Sequence, residues 1–232
     1  MANNKKTNTK NSSSKFIFWV IGLIAIGVLA LIFLGNHSKD KEAVKSNEID
    51  YSHQPFLGKE SAPVSIIEFG DYKCPYCKQF SASAVPFIEK ELVDTGKAKF
   101  YFFNDSFINV DSERSAKFAE SVYAVLGNDT FWKFHELLYK KQPEDQKYEK
   151  IDLYTEEFLT DTLKEVASDK EVDKVVKHFK DDKSKDAWQK DMDYVKKLNV
   201  QGTPALFVNG KKFEGQSIDD LKEMVENAAK GK

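Results

Sequence analysis

The chain's only two cysteines stand two residues apart, in the segment Cys74-Pro75-Tyr76-Cys77. Proline is favoured at the first position of a helix, so this spacing places the Cys74 sulfur at a helix N-terminus. Unpaired amides and the helix dipole stabilise a thiolate there. Cys77 then lies about one turn further along the helix, within reach of a disulfide. The segment therefore predicts a reactive dithiol at the start of a helix.

Two other uses of the pair are a structural disulfide and half of a zinc site. A loop this short would gain only about 2 kcal/mol from closure, against about 3 kcal/mol for a fifteen-residue loop. A zinc site needs two more ligands at motif spacing, and the nearest histidine, His53, has no partner close to it in the sequence. Redox chemistry is the favoured interpretation, and both alternatives stay open.

A run of 19 residues without a charged side chain, FIFWVIGLIAIGVLALIFL, occupies residues 16–34. As a helix it would measure about 28 Å, close to the thickness of a bilayer's hydrocarbon core. Residues 1–15 carry four lysines and no acid, which predicts a basic cytoplasmic tail, with the rest of the chain outside. We favour a retained transmembrane signal anchor over a cleaved signal peptide, because the run is long and no small-residue cleavage site follows it.

The charge balance beyond residue 34 is acidic, with 31 basic against 37 acidic side chains. This balance argues against nucleic acid as a partner. A single CxxC outside the membrane, with no other cysteine to stabilise the fold, fits a protein that passes disulfides to other proteins.

The chain after the apolar run begins with residues 35–55, which lack apolar periodicity and predict a polar linker. VSIIEF at 64–69 predicts a strand that is buried on both faces and ends just before the cysteines, and KFYFF at 99–103 predicts a second strand. The helix between them should break near Pro86, whose nitrogen has no proton to donate. Residues 56–105 thus form the first part of a folded domain.

From residue 106 to residue 198 the apolar residues recur about every 3.6 positions, which predicts an inserted block of helices. The first helix should end at Gly127, and Asn128 or Thr130 should cap the second. His135 stands alone on the apolar face of that second helix, so it is predicted to be a packed core residue. Three more helices are predicted at about 155–167, 171–180 and 184–198.

The last part, residues 199–232, returns to strand patterns. Asn199 should end the preceding helix in a left-handed conformation, and Asn209-Gly210 favours a two-residue hairpin turn between strands at 205–208 and 211–213. A capping box, Ser217 to Asp220, should start a closing helix. The complete order predicts an α/β protein with a thioredoxin fold and an inserted helical domain, preceded by an N-terminal transmembrane helix.

Three segments resemble the DsbA-like thiol-disulfide oxidoreductases, particularly the membrane-tethered BdbD-like type of Gram-positive bacteria. They are IIEFGDYKCPYCKQF at the predicted strand and helix, FWKFHELLY in the helical block and KKLNVQGTPALFVNGKKFEG before the hairpin. The resemblance covers roughly residue 63 to the C-terminus. It implies a protein disulfide oxidoreductase that works as a dithiol oxidase and needs no cofactor besides its redox-active disulfide.

The match to the family's motifs implies roles for five residues. Cys74 corresponds to the exposed nucleophile and Cys77 to the buried resolving cysteine. Pro204 corresponds to a cis-proline that faces the disulfide, and Thr203 precedes it. Glu68 corresponds to a buried acid beneath the site, where desolvation should raise its pKa and let it relay the Cys77 proton.

The dipeptide Pro75-Tyr76 departs from the Pro-His of the best-known family members and is shared with glutaredoxins. No imidazolium can therefore stabilise the Cys74 thiolate from within the dipeptide. The helix dipole alone should lower the pKa of Cys74 by no more than about one and a half units, so hydrogen bonds from the Tyr76 and Cys77 amides must add to it. Asp71, Tyr72 and Lys73 precede Cys74 and receive no catalytic role from the sequence.

The resemblance also implies a location and partners. The catalytic domain should lie outside a cell membrane that the chain crosses once, and should introduce disulfides into reduced secreted or surface proteins. A quinone-linked membrane protein of the DsbB type should reoxidise it. One alternative is a thiol reductase or disulfide isomerase on the same fold, and another is a membrane-tethered chaperone module that binds peptides beside Pro204.

Overall fold

A mixed sheet lies at the centre of the computed structural model, which describes residues 48–231. Its strands are β1 (Phe56–Leu57), β2 (Val64–Gly70), β3 (Ala98–Asn104), β4 (Ala205–Val208) and β5 (Lys211–Lys212). The spatial order is β1-β3-β2-β4-β5, in which β2 and β3 are parallel and the other pairs antiparallel. The strands predicted at 64–69, at 99–103 and around the Asn209-Gly210 turn are confirmed.

Helices fill the connection from β2 to β3, the long connection from β3 to β4 and the C-terminal segment. They are α1 (Pro75–Ser83), α2 (Val85–Ile88), α3 (Val110–Leu126), α4 (Asn128–Lys140), α5 (Glu156–Lys164), α6 (Asp169–Lys180), α7 (Lys185–Lys197) and α8 (Ile218–Ala229). A π-helical turn, Glu89–Val93, extends α2, and a 3-10 turn, Gln146–Lys150, follows α4. The break predicted near Pro86 falls at Ala84, between α1 and α2.

Two of the helix caps predicted from short sequence motifs are found in the structure, and one is not. Asn199 has a φ of 53° after α7, and the capping box of Ser217 and Asp220 starts α8, so both predictions are confirmed. The predicted cap at Asn128 or Thr130 is wrong, because Gly127 occupies the N-cap of α4. The Asn128 amide instead pairs with the backbone of Phe56 in β1, at 2.7 and 2.9 Å.

The two faces of the sheet carry separate apolar layers. Side chains alternate along β2, so Ile66 and Glu68 point to one face while Ile67 and Phe69 point to the other. The first layer includes both cysteines and side chains from α3 to α6 and α8, and the second includes side chains from α7. The alternation therefore places Glu68 on the cysteine side of the sheet.

Residues 49–54 lie against the second face, although the sequence predicts a linker through residue 55. Ile49 is buried there, and the Tyr51 ring lies 4.5 Å from the Tyr101 ring, centroid to centroid. The Gln54 amide donates to the Asp191 carboxylate on α7 at 2.6 Å. A segment of six residues is too short to show a periodic pattern, so the sequence carries no signal of this packing.

Within residues 48–231, none of the helices is both long enough and apolar enough to span a bilayer. The transmembrane helix predicted at 16–34 and the basic tail before it lie outside the described residues.

Candidate active site

Cys74 is the N-cap residue of α1, and Pro75 holds the first position of the helix, as predicted. The turn that leads from β2 into α1 is built around Asp71. Its carbonyl accepts the Cys74 amide at 2.9 Å, and its buried carboxylate accepts the Lys73 amide at 2.8 Å and the Phe107 amide at 3.0 Å. The turn presents the Cys74 sulfur to the first amides of the helix.

The two sulfurs lie at different depths, and both are free thiols. Cys77 is fully buried, as predicted, but Cys74 keeps only 4% of its surface exposed and is less accessible than the predicted exposed nucleophile. The Thr203 carbonyl covers one side of its sulfur at 3.4 Å. Tyr76, between the cysteines, is 64% exposed and forms the outer surface of the site.

The chain after α7 returns to the start of α1. The Thr203-Pro204 peptide bond is cis, and the Thr203 carbonyl accepts the hydrogen bond from the Cys74 thiol. The structure therefore brings together the two cysteines and the Thr203-Pro204 pair. Thr203 lies 129 residues after Cys74 in the sequence.

The Cys74 thiolate is stabilised by several donors, which together lower its pKa to about 6. The largest contribution is a hydrogen bond from the Cys77 thiol, which more than offsets the effect of burial. The amides of Cys77 and Tyr76 contribute further. The predicted role of the two amides is confirmed, whereas the contribution of the partner thiol was not predicted. The thiolate is therefore the favoured form of Cys74 at pH 7.

Cys77 and Glu68 both resist ionisation. Desolvation, together with the neighbouring Cys74 and Glu68, raises the pKa of Cys77 far above the ordinary thiol value. Burial, with a smaller effect from Cys74, raises the pKa of Glu68 to about 8. Neither carboxyl oxygen of Glu68 has a hydrogen-bond partner among the described residues. The predicted burial of Glu68 beneath the cysteines is confirmed.

A profile of the family described as Thioredoxin matches residues 51–227, which is most of the chain and the whole of this site. The chain belongs to the thioredoxin family. Its fold is the thioredoxin-type α/β fold with inserted helices that the sequence predicts.

The relatives of the chain include disulfide bond formation proteins. "Probable disulfide bond formation protein D" of Bacillus anthracis is 34% identical over 226 residues, covering 97% of this chain and 99% of the relative. "Disulfide bond formation protein D" of Bacillus subtilis is 35% identical over 202 residues, covering 85% and 86%. The crystal structure of oxidised BdbD from Bacillus subtilis matches with a TM-score of 0.71 at 35% identity, covering 78% of this chain and 96% of that one. The predicted resemblance to BdbD-like proteins is confirmed, and this thioredoxin-family chain is a protein disulfide oxidoreductase.

Sequence reasoning missed the side chains that hold the turn of this thioredoxin-family site. Lys73 is completely buried and forms an ion pair with Asp111, and the Tyr148 hydroxyl donates to the Lys73 carbonyl. Gln142 donates to the carbonyl of Cys74 at 3.1 Å. A lysine is rarely fully buried, so its residue type predicts exposure. The available signal was its position between a buried strand and the CxxC.

His135 lies behind the turn as a core residue, as predicted. It is buried on α4, and its Nδ1 lies 3.0 Å from the Tyr72 hydroxyl. Burial lowers the pKa of His135 to about 3, so the ring is neutral at physiological pH. It therefore supplies no positive charge to the Cys74 thiolate.

Proposed function

We propose that the protein is a dithiol oxidase that introduces disulfides into reduced secreted or surface proteins. The observation that carries this proposal is the asymmetry of the two sulfurs. Cys74 is the N-cap residue of α1, where its pKa is lowered, whereas Cys77 is fully buried and its pKa is raised. A stabilised Cys74 thiolate favours the reduced form over the disulfide, and a disulfide that is easily reduced is a strong oxidant.

The reaction consists of two exchanges. A substrate thiolate attacks Cys74 in the disulfide form, the bond between Cys74 and Cys77 breaks, and Cys77 leaves as a thiolate that takes up a proton. A second substrate thiolate then attacks the substrate sulfur of the mixed disulfide and expels Cys74 as a thiolate. The substrate loses two electrons and the protein gains them, so no cofactor besides the redox-active disulfide is needed.

Glu68, Thr203 and Pro204 have supporting roles in this proposal. Because the pKa of Glu68 is raised to about 8, this carboxyl carries a proton at neutral pH that can pass to Cys77 as the thiolate leaves. The edge at Thr203-Pro204 faces Cys74, where backbone groups can pair with an extended substrate segment. Pro75 and Tyr76 set the geometry of the first helical turn.

We also propose the location and the partners that the sequence predicts. The basic tail, residues 1–15, and the apolar run at 16–34 support a single-pass cell-membrane protein whose catalytic domain is extracytoplasmic. Such a protein would meet reduced secreted proteins as substrates. A quinone-linked DsbB-like membrane protein would restore its disulfide.

A glutathione equilibrium combined with a thiolate titration tests the proposal. The reduced protein is titrated while thiolate absorbance is recorded, and the dithiol is then equilibrated against mixtures of reduced and oxidised glutathione. We expect Cys74 to titrate near pH 6 and the disulfide to be reduced at low glutathione concentrations. A disulfide that persists under reducing mixtures would instead identify a thiol reductase.

The substitution Pro75-Tyr76 to Gly-Pro provides a second arm of this test. It loosens the first helical turn and should raise the pKa of Cys74 and make the protein more reducing. Binding of unfolded peptides that survives the loss of both cysteines, with no disulfide transfer by the wild-type protein, would favour the chaperone module.

A further inference from the structure

The ammonium group of Lys73 has all three of its protons engaged although the side chain is completely buried. Its nitrogen lies 3.0 Å from Asp111 Oδ2, 2.7 Å from the Tyr148 carbonyl and 2.8 Å from the Ile151 carbonyl. The rings of Tyr148 and Tyr154 flank it at 4.8 and 5.3 Å. A cation in the core is therefore held entirely by groups from the inserted helical block.

Asp111, the partner, fastens the same part of the chain from the other side. It is also completely buried, on the first turn of α3, and its Oδ2 accepts the amides of Leu153 at 2.8 Å and Tyr154 at 3.0 Å. Residues 142–154, which connect α4 to α5, therefore close over the Lys73–Asp111 pair. We call this segment the strap.

The strap holds the backbone on both sides of Cys74. The carbonyl before Cys74, that of Lys73, accepts the Tyr148 hydroxyl, and the carbonyl of Cys74 itself accepts the Gln142 amide at 3.1 Å. These two carbonyls belong to the peptide planes that flank Cys74. Their orientation fixes the φ and ψ angles of Cys74, and so the position of its sulfur relative to the amides of Tyr76 and Cys77.

Stability alone gives little reason for a buried ion pair at this position. Removing two charges from water costs about as much as their attraction returns, so apolar residues of similar size often stabilise a core equally well. What the pair does impose is geometry, because the three protons of the Lys73 ammonium and the Oδ2 atom of Asp111 find these partners only when the strap lies in one position on the turn.

We propose that the buried Lys73–Asp111 pair is a positioning device for the thiol-disulfide reaction. It locks the strap onto the turn that precedes α1, and the strap in turn fixes the Cys74 sulfur against the amides at the start of that helix. This inference rests on the proposed function, since it concerns how the same sulfur is held as a thiolate.

The test compares the Lys73→Met/Asp111→Asn double variant with the wild-type protein. The double variant removes both charges, so no lone charge is left buried, and the carboxamide that replaces the Asp111 carboxylate retains an oxygen for the strap amides. We expect the pKa of Cys74 to rise and the glutathione equilibrium to shift toward the disulfide by about threefold to tenfold, the worth of one hydrogen bond. Thiolate absorbance against pH and glutathione titration measure the two effects.

A matched control is a residue that contacts the same strap from α3. Arg114 on α3 forms a partly exposed ion pair with Asp152 and also donates to the Tyr154 carbonyl. Arg114→Met removes this partly exposed contact and leaves the contacts of Lys73, Tyr148 and Gln142 between the strap and the turn in place. It should leave the Cys74 pKa and the glutathione equilibrium unchanged.

The milder variant Tyr148→Phe removes only the hydroxyl that donates to the Lys73 carbonyl, and it should shift both quantities in the same direction by a smaller factor. If the double variant does not fold, Tyr148→Phe decides. A folded double variant, or failing that Tyr148→Phe, with unchanged Cys74 pKa and equilibrium would overturn the inference. A wild-type Cys74 that titrates near the ordinary value of about 8.5 would instead refute the proposed function. The differences in Cys74 pKa and glutathione equilibrium between the variants and the wild type would still test the role of the Lys73–Asp111 pair.

Discussion

The pKa values of the two sulfurs of the site are shifted in opposite directions, down for Cys74 and up for Cys77. Cys77 is deep enough that ionisation is unfavourable, so it remains a thiol with a proton to donate. That proton is the largest single source of stabilisation for the Cys74 thiolate. The reactivity of Cys74 thus depends on the burial of Cys77.

Replacement of Cys77 by alanine should trap substrates. The resolving thiol that dissolves a stalled mixed disulfide is then absent, and we expect Cys77→Ala to accumulate covalent adducts with other proteins. The same change should raise the pKa of Cys74, because its strongest donor is lost. Non-reducing gels of cell extracts and a thiolate titration measure the two effects. Adducts on Cys74→Ala in place of Cys77→Ala would reverse the assignment of the two cysteines.

Glu68 should make the reduced protein less stable as the pH rises. Its folded-state pKa is raised from 4.5 to about 8, so the stabilisation linked to its proton is complete below about pH 4.5 and is lost as the pH rises to 8. Between these limits the free energy of unfolding should fall faster in the wild type than in Glu68→Gln, by up to about 1.4 kcal/mol per pH unit. Urea unfolding under reducing conditions at several pH values measures the two slopes.

The exposed carboxylate of Glu60 provides the control for that comparison. Glu60→Gln should keep the pH slope of the wild type. Parallel slopes for the wild type and Glu68→Gln would mean that Glu68 titrates normally, and its assignment as the proton relay would then be abandoned.

At the scale of elements, the site forms where the start of α1 contacts the chain that follows α7. Helix α1 begins at Cys74, and α7 ends a few residues before Thr203, whose carbonyl contacts the Cys74 sulfur. Asn199 turns the chain between α7 and Thr203 with a φ of 53°, a conformation that asparagine and glycine tolerate better than other residues. The position of Thr203 therefore depends on how α7 terminates.

Asn199→Ala should destabilise the protein by about 1 kcal/mol, because an alanine Cβ is unfavourable in the left-handed conformation. Asn199→Gly is the matched variant, and it should remain within about 0.5 kcal/mol of the wild type because glycine adopts this conformation freely. Urea unfolding of the three proteins measures the difference. Equal losses in both variants would show that the Asn199 side chain, and not its backbone conformation, is what matters.

Elements that depend on neighbours in the sequence were predictable, and those that depend on distant contacts were not. The strand before the cysteines, the turn at Asn209-Gly210 and the capping box at Ser217 follow from local patterns and are found. The cap at Asn128 was predicted wrongly because β1, far away in sequence, uses its amide. Lys73 went unassigned because its partners Asp111 and Tyr148 lie 38 and 75 residues away.

The candidate site divides in the same way. Motif matching could place Cys74, Cys77 and Glu68 beside one another, since a strand, a turn and a helix carry them within ten residues. The depth of Cys74 and the donation from Cys77 depend on packing that no short segment encodes. The strap is the clearest case, because its contacts to the turn join two regions with no shared sequence pattern.

At the scale of the whole molecule, the packing of residues 49–54 shortens the predicted linker. Glu48 also contacts Lys197 on α7 at 3.5 Å, so 13 residues of the predicted linker, 35–47, remain beyond this packing. Thirteen residues span at most about 45 Å when fully extended.

The orientation of the chain across the membrane can be tested by labelling each side. Four lysines and no acid precede the uncharged run, so residues 1–15 should remain in the cytoplasm and the domain should lie outside. Single cysteines introduced by Ser13→Cys or Gln216→Cys, each into a Cys74→Ala/Cys77→Ala background, report the two sides. A membrane-impermeant maleimide should label position 216 in intact spheroplasts and position 13 only after permeabilisation. Labelling of position 13 in intact spheroplasts, with position 216 protected, would place the catalytic domain in the cytoplasm and exclude secreted proteins as its substrates.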